Sequence, residues 1–130
     1  MKKALSIIAV LALVSVLAVA LVACVPSDYE KAVANLEEAG YITTVTEADN
    51  AVSQALLEKA YGAGCIAHVN GTYISTGGGA MINLVYFDSA EHAKAYWNTI
   101  KDEEVEEGWK AARSGKVVYV GTEAAIKAVG

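Results

Sequence analysis

Hydrophobic positions along this chain fall into three regimes. The first is unbroken: Ala4 to Ala23 runs twenty residues without a charge, a proline or a glycine. As a helix it would be roughly 30 Å long, at about 1.5 Å per residue, which matches a bilayer's hydrocarbon core. It carries no polar face at a 3.6-residue period, so its environment is lipid or the export channel rather than water. The second regime has helical spacing, and the third alternates with period 2.

Helical spacing begins soon after residue 24. Ser27 and Glu30 have capping-box spacing, and Tyr29, Ala32, Val33 and Leu36 share one face. Gly40 closes that helix in the C′ position. Residues 41–45, Tyr-Ile-Thr-Thr-Val, are β-branched and aromatic and predict a strand. A second helix is expected from Thr46 or Glu47, with Ala48, Val52, Ala55, Leu56 and Lys59 on its inner face and Gly62 and Gly64 at its end.

Period 2 takes over from Cys65 to Phe87. Asn70-Gly71 is the strongest short hairpin signal in the chain, and Gly77-Gly78-Gly79 is a looser one. Two arrangements satisfy the pattern: strands over 65–69, 72–76 and 80–87, or one long strand over 65–74 with a bulge at the first signal. The segment from Ala80 to Phe87 is apolar on both faces, as a central strand is. Asp88-Ser89 caps a further helix whose inner face holds Ala90, Ala93, Trp97 and Ile100, widened by Tyr96. That helix should weaken across Asp102–Glu107, where five of six residues are acidic and oppose the dipole at a C-terminus.

Residues 109–113 and 116–120 suit a hairpin on a Ser114-Gly115 turn, although 109–113 also fits a helix. Gly121-Thr122 opens a short last helix through Val129, anchored by Ile126. The expected class is α+β: one small domain with helices on one face of a mainly antiparallel sheet, ferredoxin-like or a related split fold.

Composition sharpens this. The 55% apolar content is raised by the N-terminal run, and the 106 residues that follow Cys24 suffice for one domain and one core. Lys2 and Lys3 are the only charges before Cys24. The rest carries 8 basic and 15 acidic residues, a net charge of −7, which disfavours nucleic acid and anionic headgroups. The two lysines ahead of the run should stay cytoplasmic, so the domain should lie on the other side.

The apolar run ends Leu21-Val22-Ala23-Cys24. This resembles the lipobox of bacterial lipoproteins. The resemblance implies that residues 1–23 are a signal peptide and that the thiol of Cys24 takes a diacylglyceryl group. The extracytoplasmic domain would then begin at residue 24, held by palmitate-like acyl chains. Two chains on one residue meet the two-signal requirement for stable anchoring, at about 0.8 kcal/mol per buried CH₂. The run exceeds the roughly 7–15 residues of an ordinary signal h-region, so an uncleaved membrane helix is the alternative. Segments LVYFDSAEHAKAYW and SGKVVYVGTEAAIKA also resemble small bacterial lipoproteins of no known activity, which implies no substrate and transfers no site residues.

The remaining chemistry-bearing residues form no recognisable catalytic set. With Cys24 lipidated, Cys65 has no partner for a disulfide and fits a buried strand thiol. His68 and His92 are the only histidines; their spacing with each other and with Cys65 matches no zinc ligand set. His68 is expected on a strand face and His92 in a solvated early helical turn. The triple glycine lacks the Lys-Ser/Thr of a phosphate loop, and the acidic run lacks the glycine and spacing of a calcium loop. No cofactor is implied. Trp97 and Phe87 are expected in the core, whereas Tyr73, Trp109 and Tyr119 lie beside turns and are the candidate surface-binding aromatics.

The sequence thus points to a membrane-anchored extracytoplasmic binding or interaction module, with a protein or small-molecule partner. A small enzyme with a site assembled from distant residues, or an accessory subunit of an envelope complex, are the alternatives.

Overall fold

The computed structural model of the chain describes residues 25–130. Expectations for residues 1–24, lipidation of Cys24 among them, lie outside the described residues. Nine elements follow one another: α1 (Tyr29–Glu38), β1 (Ile42–Glu47), α2 (Ala51–Tyr61), β2 (Cys65–Ser75), β3 (Gly78–Phe87), α3 (Ala90–Ile100), β4 (Trp109–Ser114), β5 (Val117–Thr122) and α4 (Glu123–Val129). Among them no helix is long and apolar enough to cross a membrane.

Sheet order is β1-β2-β3-β5-β4, with every neighbouring pair antiparallel. β3 and β4 therefore run parallel, joined through α3, with β5 inserted between them. That is one split β-α-β unit. β1 and β2 instead lie side by side across the α2 connection.

Helices cover both faces of the sheet, not one. Leu84 and Tyr86 of β3 and Val117 and Tyr119 of β5 join Leu36 of α1 and Ile126 of α4 in one core. Val85, Phe87 and Val118, of opposite strand parity, pack with Leu57 of α2 and Ala93 of α3 in another. The two-sided apolar pattern of 80–87 demanded this, since both faces of a central strand must be sealed.

Asn70-Gly71 does not turn. β2 is one strand of eleven residues, and its register shift lies between Cys65 and Ala67 rather than at Asn70. Gly71 lacks a positive φ. A Cβ there would lie 2.9 Å from Leu36 Cδ1, so glycine admits the close approach of α1 to the sheet. The hairpin closes instead across Thr76-Gly77, where the Ser75 hydroxyl donates to the Gly78 carbonyl over 2.6 Å.

Helix starts are also displaced. Asp28, not Ser27, caps α1, accepting from the Glu30 N–H at 2.9 Å. β1 continues through Thr46 and Glu47, which pair with His68 and Ala67, so α2 waits for Asn50 and its reciprocal cap with Ser53. This rotation buries Leu57 and leaves Val52 and Leu56 exposed. Three further expectations hold: α3 ends before the acidic run, residues 109–122 form a hairpin at Ser114-Gly115, and Ile126 anchors the last helix.

The chain enters the domain without slack. Val25 is already in the core at 6% exposure, and the buried Tyr86 hydroxyl donates to the Pro26 carbonyl over 2.8 Å. Tyr86 stacks edge-on with Tyr29, whose own hydroxyl donates to the Glu47 carboxylate.

Candidate functional site: a trough on the half-covered sheet face

The face carrying α2 and α3 is sealed at only one end. Register places two rows of side chains across it. One runs Thr46, His68, Val85, Val118, Arg113; the next runs Thr44, Asn70, Asn83, Val120, Ala111. Each row changes from polar to apolar between β2 and β5. Alternation along an amphipathic strand dictates such a face, polar where no helix lies over it.

A trough of about 290 Å³ opens where these rows pass beyond the helices. Tyr61 ends α2 and Tyr96 and Ile100 lie on α3, forming its walls. Val85, Val118 and Val120 form its floor, with His68 and Asn83 on the polar side. The Tyr61 ring meets Tyr96 edge-on at 5.6 Å and tilts against His68 at 5.3 Å; Phe87 supports Tyr96 from the core at 5.7 Å. Aromatic contacts at these separations fix ring orientation and contribute roughly 0.5–1.5 kcal/mol each beyond area burial.

The polar side is a chain of hydrogen bonds. Thr72 Oγ1 donates to Asn70 Oδ1 at 3.2 Å, Asn70 Nδ2 donates to Asn83 Oδ1 at 3.0 Å, and His68 Nε2 bonds the same oxygen at 2.9 Å. In this sense Asn83 Nδ2 keeps both its protons, and the Nε2–H tautomer of His68 leaves Nδ1 as an acceptor. Rotating both amides reverses the chain, and then Asn83 Oδ1 accepts while His68 Nδ1–H donates. Either way Asn83 and His68 have one donor and one acceptor left over.

No residue lining the trough carries a carboxylate or a cation. Burial pushes the Tyr61 and Tyr96 phenols above their ordinary value, so both are neutral hydroxyls. Their hydroxyls make no hydrogen bond among the described residues. Below the wall, Cys65 is 2% exposed and burial pushes its thiol up to about 11. That is the opposite of what an activated nucleophile requires.

The sequence-proposed aromatics do not converge. Tyr119 is among the residues lining the trough, between Val118 and Val120, but its side chain is buried at 2% exposure in the core beneath α1 and α4, which corrects its placement at the surface. Desolvation there pushes its phenol up to about 12. Tyr73 is exposed but stacks on Tyr41 on that same face, at 5.4 Å. Trp109 is half-buried on edge strand β4 and belongs by parity to the trough face, outside the lining. Trp97 packs against the second core only partly buried. His92 pairs with Asp88 at 2.6 Å, and the hydrogen bond from the ring holds the Asp88 carboxyl below its usual range. Tyr61 and Tyr96 were visible only as helix residues, and nothing in the sequence marks them as opposing walls.

A second cavity of about 290 Å³ lies beside Pro26, Asp28, Lys31 and Gly130, where the chain enters the domain. No protein-family model, no curated protein and no solved structure matches this chain.

Proposed function

We propose that this chain is a lipoprotein of the extracytoplasmic face, anchored through Cys24, whose domain binds a partner in the trough and performs no chemistry on it. The observation that carries the binding reading is the trough itself. A ring-walled recess with an unsaturated donor and acceptor is built for recognition, and beside the His68 imidazole no carboxylate, thiol or lysine lines it to complete a catalytic set. Nucleic acid fits poorly with a domain of net charge −7. The sheet belongs with split α+β folds related to the ferredoxin-like one, with β1 added beside β2 rather than inserted.

The anchor reading rests on the Leu21-Val22-Ala23-Cys24 pattern. Burial of Val25 supports a fixed seat close to the bilayer, because only one peptide unit separates the anchor residue from the core. Metabolic labelling with a clickable palmitate analogue tests it. Label should appear on the wild-type chain and vanish in Cys24→Ser; equal labelling of both would sink the lipoprotein reading. Thermal unfolding against a panel of small molecules tests the binding half. A ligand at 100 times its Kd adds about 2.7 kcal/mol, a rise of roughly 10 °C or more in this size range. No shift from any compound would remove small-molecule recognition.

A further inference from the structure

We propose that the trough takes a single neutral sugar ring, a pyranose; this rests on the reading of the trough as the binding surface. Four observations select that chemistry. The first is charge. No aspartate, glutamate, lysine or arginine lines the trough, and the domain's −7 repels anions, while no carboxylate is there to hold a cation. An ion entering it would lose hydration and find no counter-charge.

The second is the hydrogen-bond arithmetic. His68 and Asn83, joined at 2.9 Å, keep one donor and one acceptor in either sense of the amide chain. A hydroxyl is both donor and acceptor, so neighbouring hydroxyls on a ring satisfy this pair whichever way the chain runs. The Tyr61 and Tyr96 hydroxyls, also unbonded, extend the same mixed character. A ligand that only donates or only accepts leaves part of the set unsatisfied, which is costly in a half-buried site.

The third is shape. The part-exposed Tyr61 and Tyr96 rings, with Ile100 and Val120, give the recess apolar surface for the C–H face of a pyranose while its hydroxyls turn to Asn83 and His68. The fourth is size and position. A volume of about 290 Å³ is at the small end of small-molecule sites, which suits one ring. The trough lies on the sheet face, where strand N–H and C=O groups are already paired. An extended peptide, which docks by adding to an edge, has no ladder to join there.

The test uses the full chain in a zwitterionic detergent, because glucoside and maltoside detergents would supply the ligand. Glucose and N-acetylglucosamine are titrated to about 100 mM, a hundredfold excess over a millimolar Kd. Acetate, glycerol and a neutral tripeptide serve as controls. The expected result is a saturable rise in melting midpoint with a pyranose and not with the controls. Asn83→Ala and Tyr96→Ala should weaken it tenfold or more, while Trp109→Ala leaves it unchanged. The melts of the unliganded variants show that each folds, and His68→Gln, which keeps a donor and an acceptor, should retain part of the binding. A pyranose response that survives Asn83→Ala and Tyr96→Ala overturns the proposal by placing the sugar elsewhere. A shift with the tripeptide alone that depends on Tyr96 overturns the sugar and leaves the trough standing. No shift with any compound overturns both.

Discussion

Replacing Gly71 by alanine separates two reasons for a glycine at that position. If it served a turn, alanine would cost the same whatever packs above it. In the structure it lies in extended β2 under Leu36, a fully buried residue of α1, and the added methyl would meet Leu36 Cδ1 at 2.9 Å and Ile82 Cγ2 at 3.4 Å. Overpacking of that kind costs about 1–3 kcal/mol. Against it, alanine in a strand interior gains about 0.5–1 kcal/mol over glycine. The net loss for Gly71→Ala is therefore about 0–2.5 kcal/mol. Leu36→Ala alone should cost about 2–5 kcal/mol, transfer and cavity together. In that background the clashing methyl group is gone, so Gly71→Ala should become neutral or stabilising by about 0.5–1 kcal/mol. The expected coupling is thus about 1–3 kcal/mol, well above the 0.3–0.5 kcal/mol scatter of independent sites. Urea unfolding of the four proteins of the cycle measures it, with common slopes as the check that the unfolded states are comparable. Equal losses in both backgrounds would refute the close-approach account of Gly71.

Other consequences are smaller in scope. Tyr86→Phe removes the donor to the Pro26 carbonyl and should lower stability by about 0.5–1.5 kcal/mol in urea unfolding, with Val25 becoming accessible to an aminopeptidase in a chain that starts there. The Cys65 thiol, buried and pushed up to about 11, should resist iodoacetamide at neutral pH and react at the global unfolding rate; rapid native labelling would contradict its burial. Asp88 is held below its usual value chiefly by the His92 hydrogen bond, so it stabilises the folded state above the ordinary 3.8 and that contribution is lost as pH falls through the folded value. Asp88→Asn should flatten the acid limb of the urea midpoint against pH, and an unchanged limb would reject this assignment. Gly64 has φ +82 and a Cβ there would meet His92 Nδ1 at 2.2 Å, so Gly64→Ala should destabilise by at least the roughly 1–2 kcal/mol of a left-handed alanine.

Much of the fold was legible because local signals agreed with burial. The caps at Ser89 and Thr122 and the two-sided apolar run of β3 each have one interpretation, and each holds, as does the hairpin at Ser114-Gly115 over the helical alternative for 109–113. Misreadings arose where one local pattern has two physical causes. Asn-Gly flanked by alternating residues marks a hairpin, yet glycine also admits a neighbouring helix, and only Leu36 decides between them. Val52 and Leu56 have ideal helical spacing but face solvent, because Asn50 starts α2 later than Thr46 would and turns Leu57 inward. Tyr119 sits near a turn, but its register opposite Ala112 places it under α4. The trough was not legible at all. His68 and Asn83 are fifteen positions apart, and Tyr61 and Tyr96 come from different helices. Pairing register creates that juxtaposition, and no period or motif in one segment encodes it.

The two faces of the sheet differ in how fully they are closed. Beneath α1 and α4 the face is closed with apolar side chains, and the entry strand at Val25 and Pro26 is fastened to it through Tyr86. The opposite face is sealed only where Leu57, Phe87 and Ala93 meet, and its remaining width mixes threonines and asparagines with the exposed Ile42 and Ile74. Apolar residues there would strengthen the sheet, at roughly 1.5–3 kcal/mol for each large side chain buried, but only if a helix lay over them. With none there, an exposed apolar face beside the uncovered β1 edge would invite pairing between copies. The rows of Thr44, Thr46, Asn70 and Asn83 interrupt the exposed Ile42 and Ile74 there, and at the boundary between the two regimes they leave hydrogen-bonding groups beside aromatic rings. The trough is what such a boundary produces, and it requires no strained backbone and no buried charge.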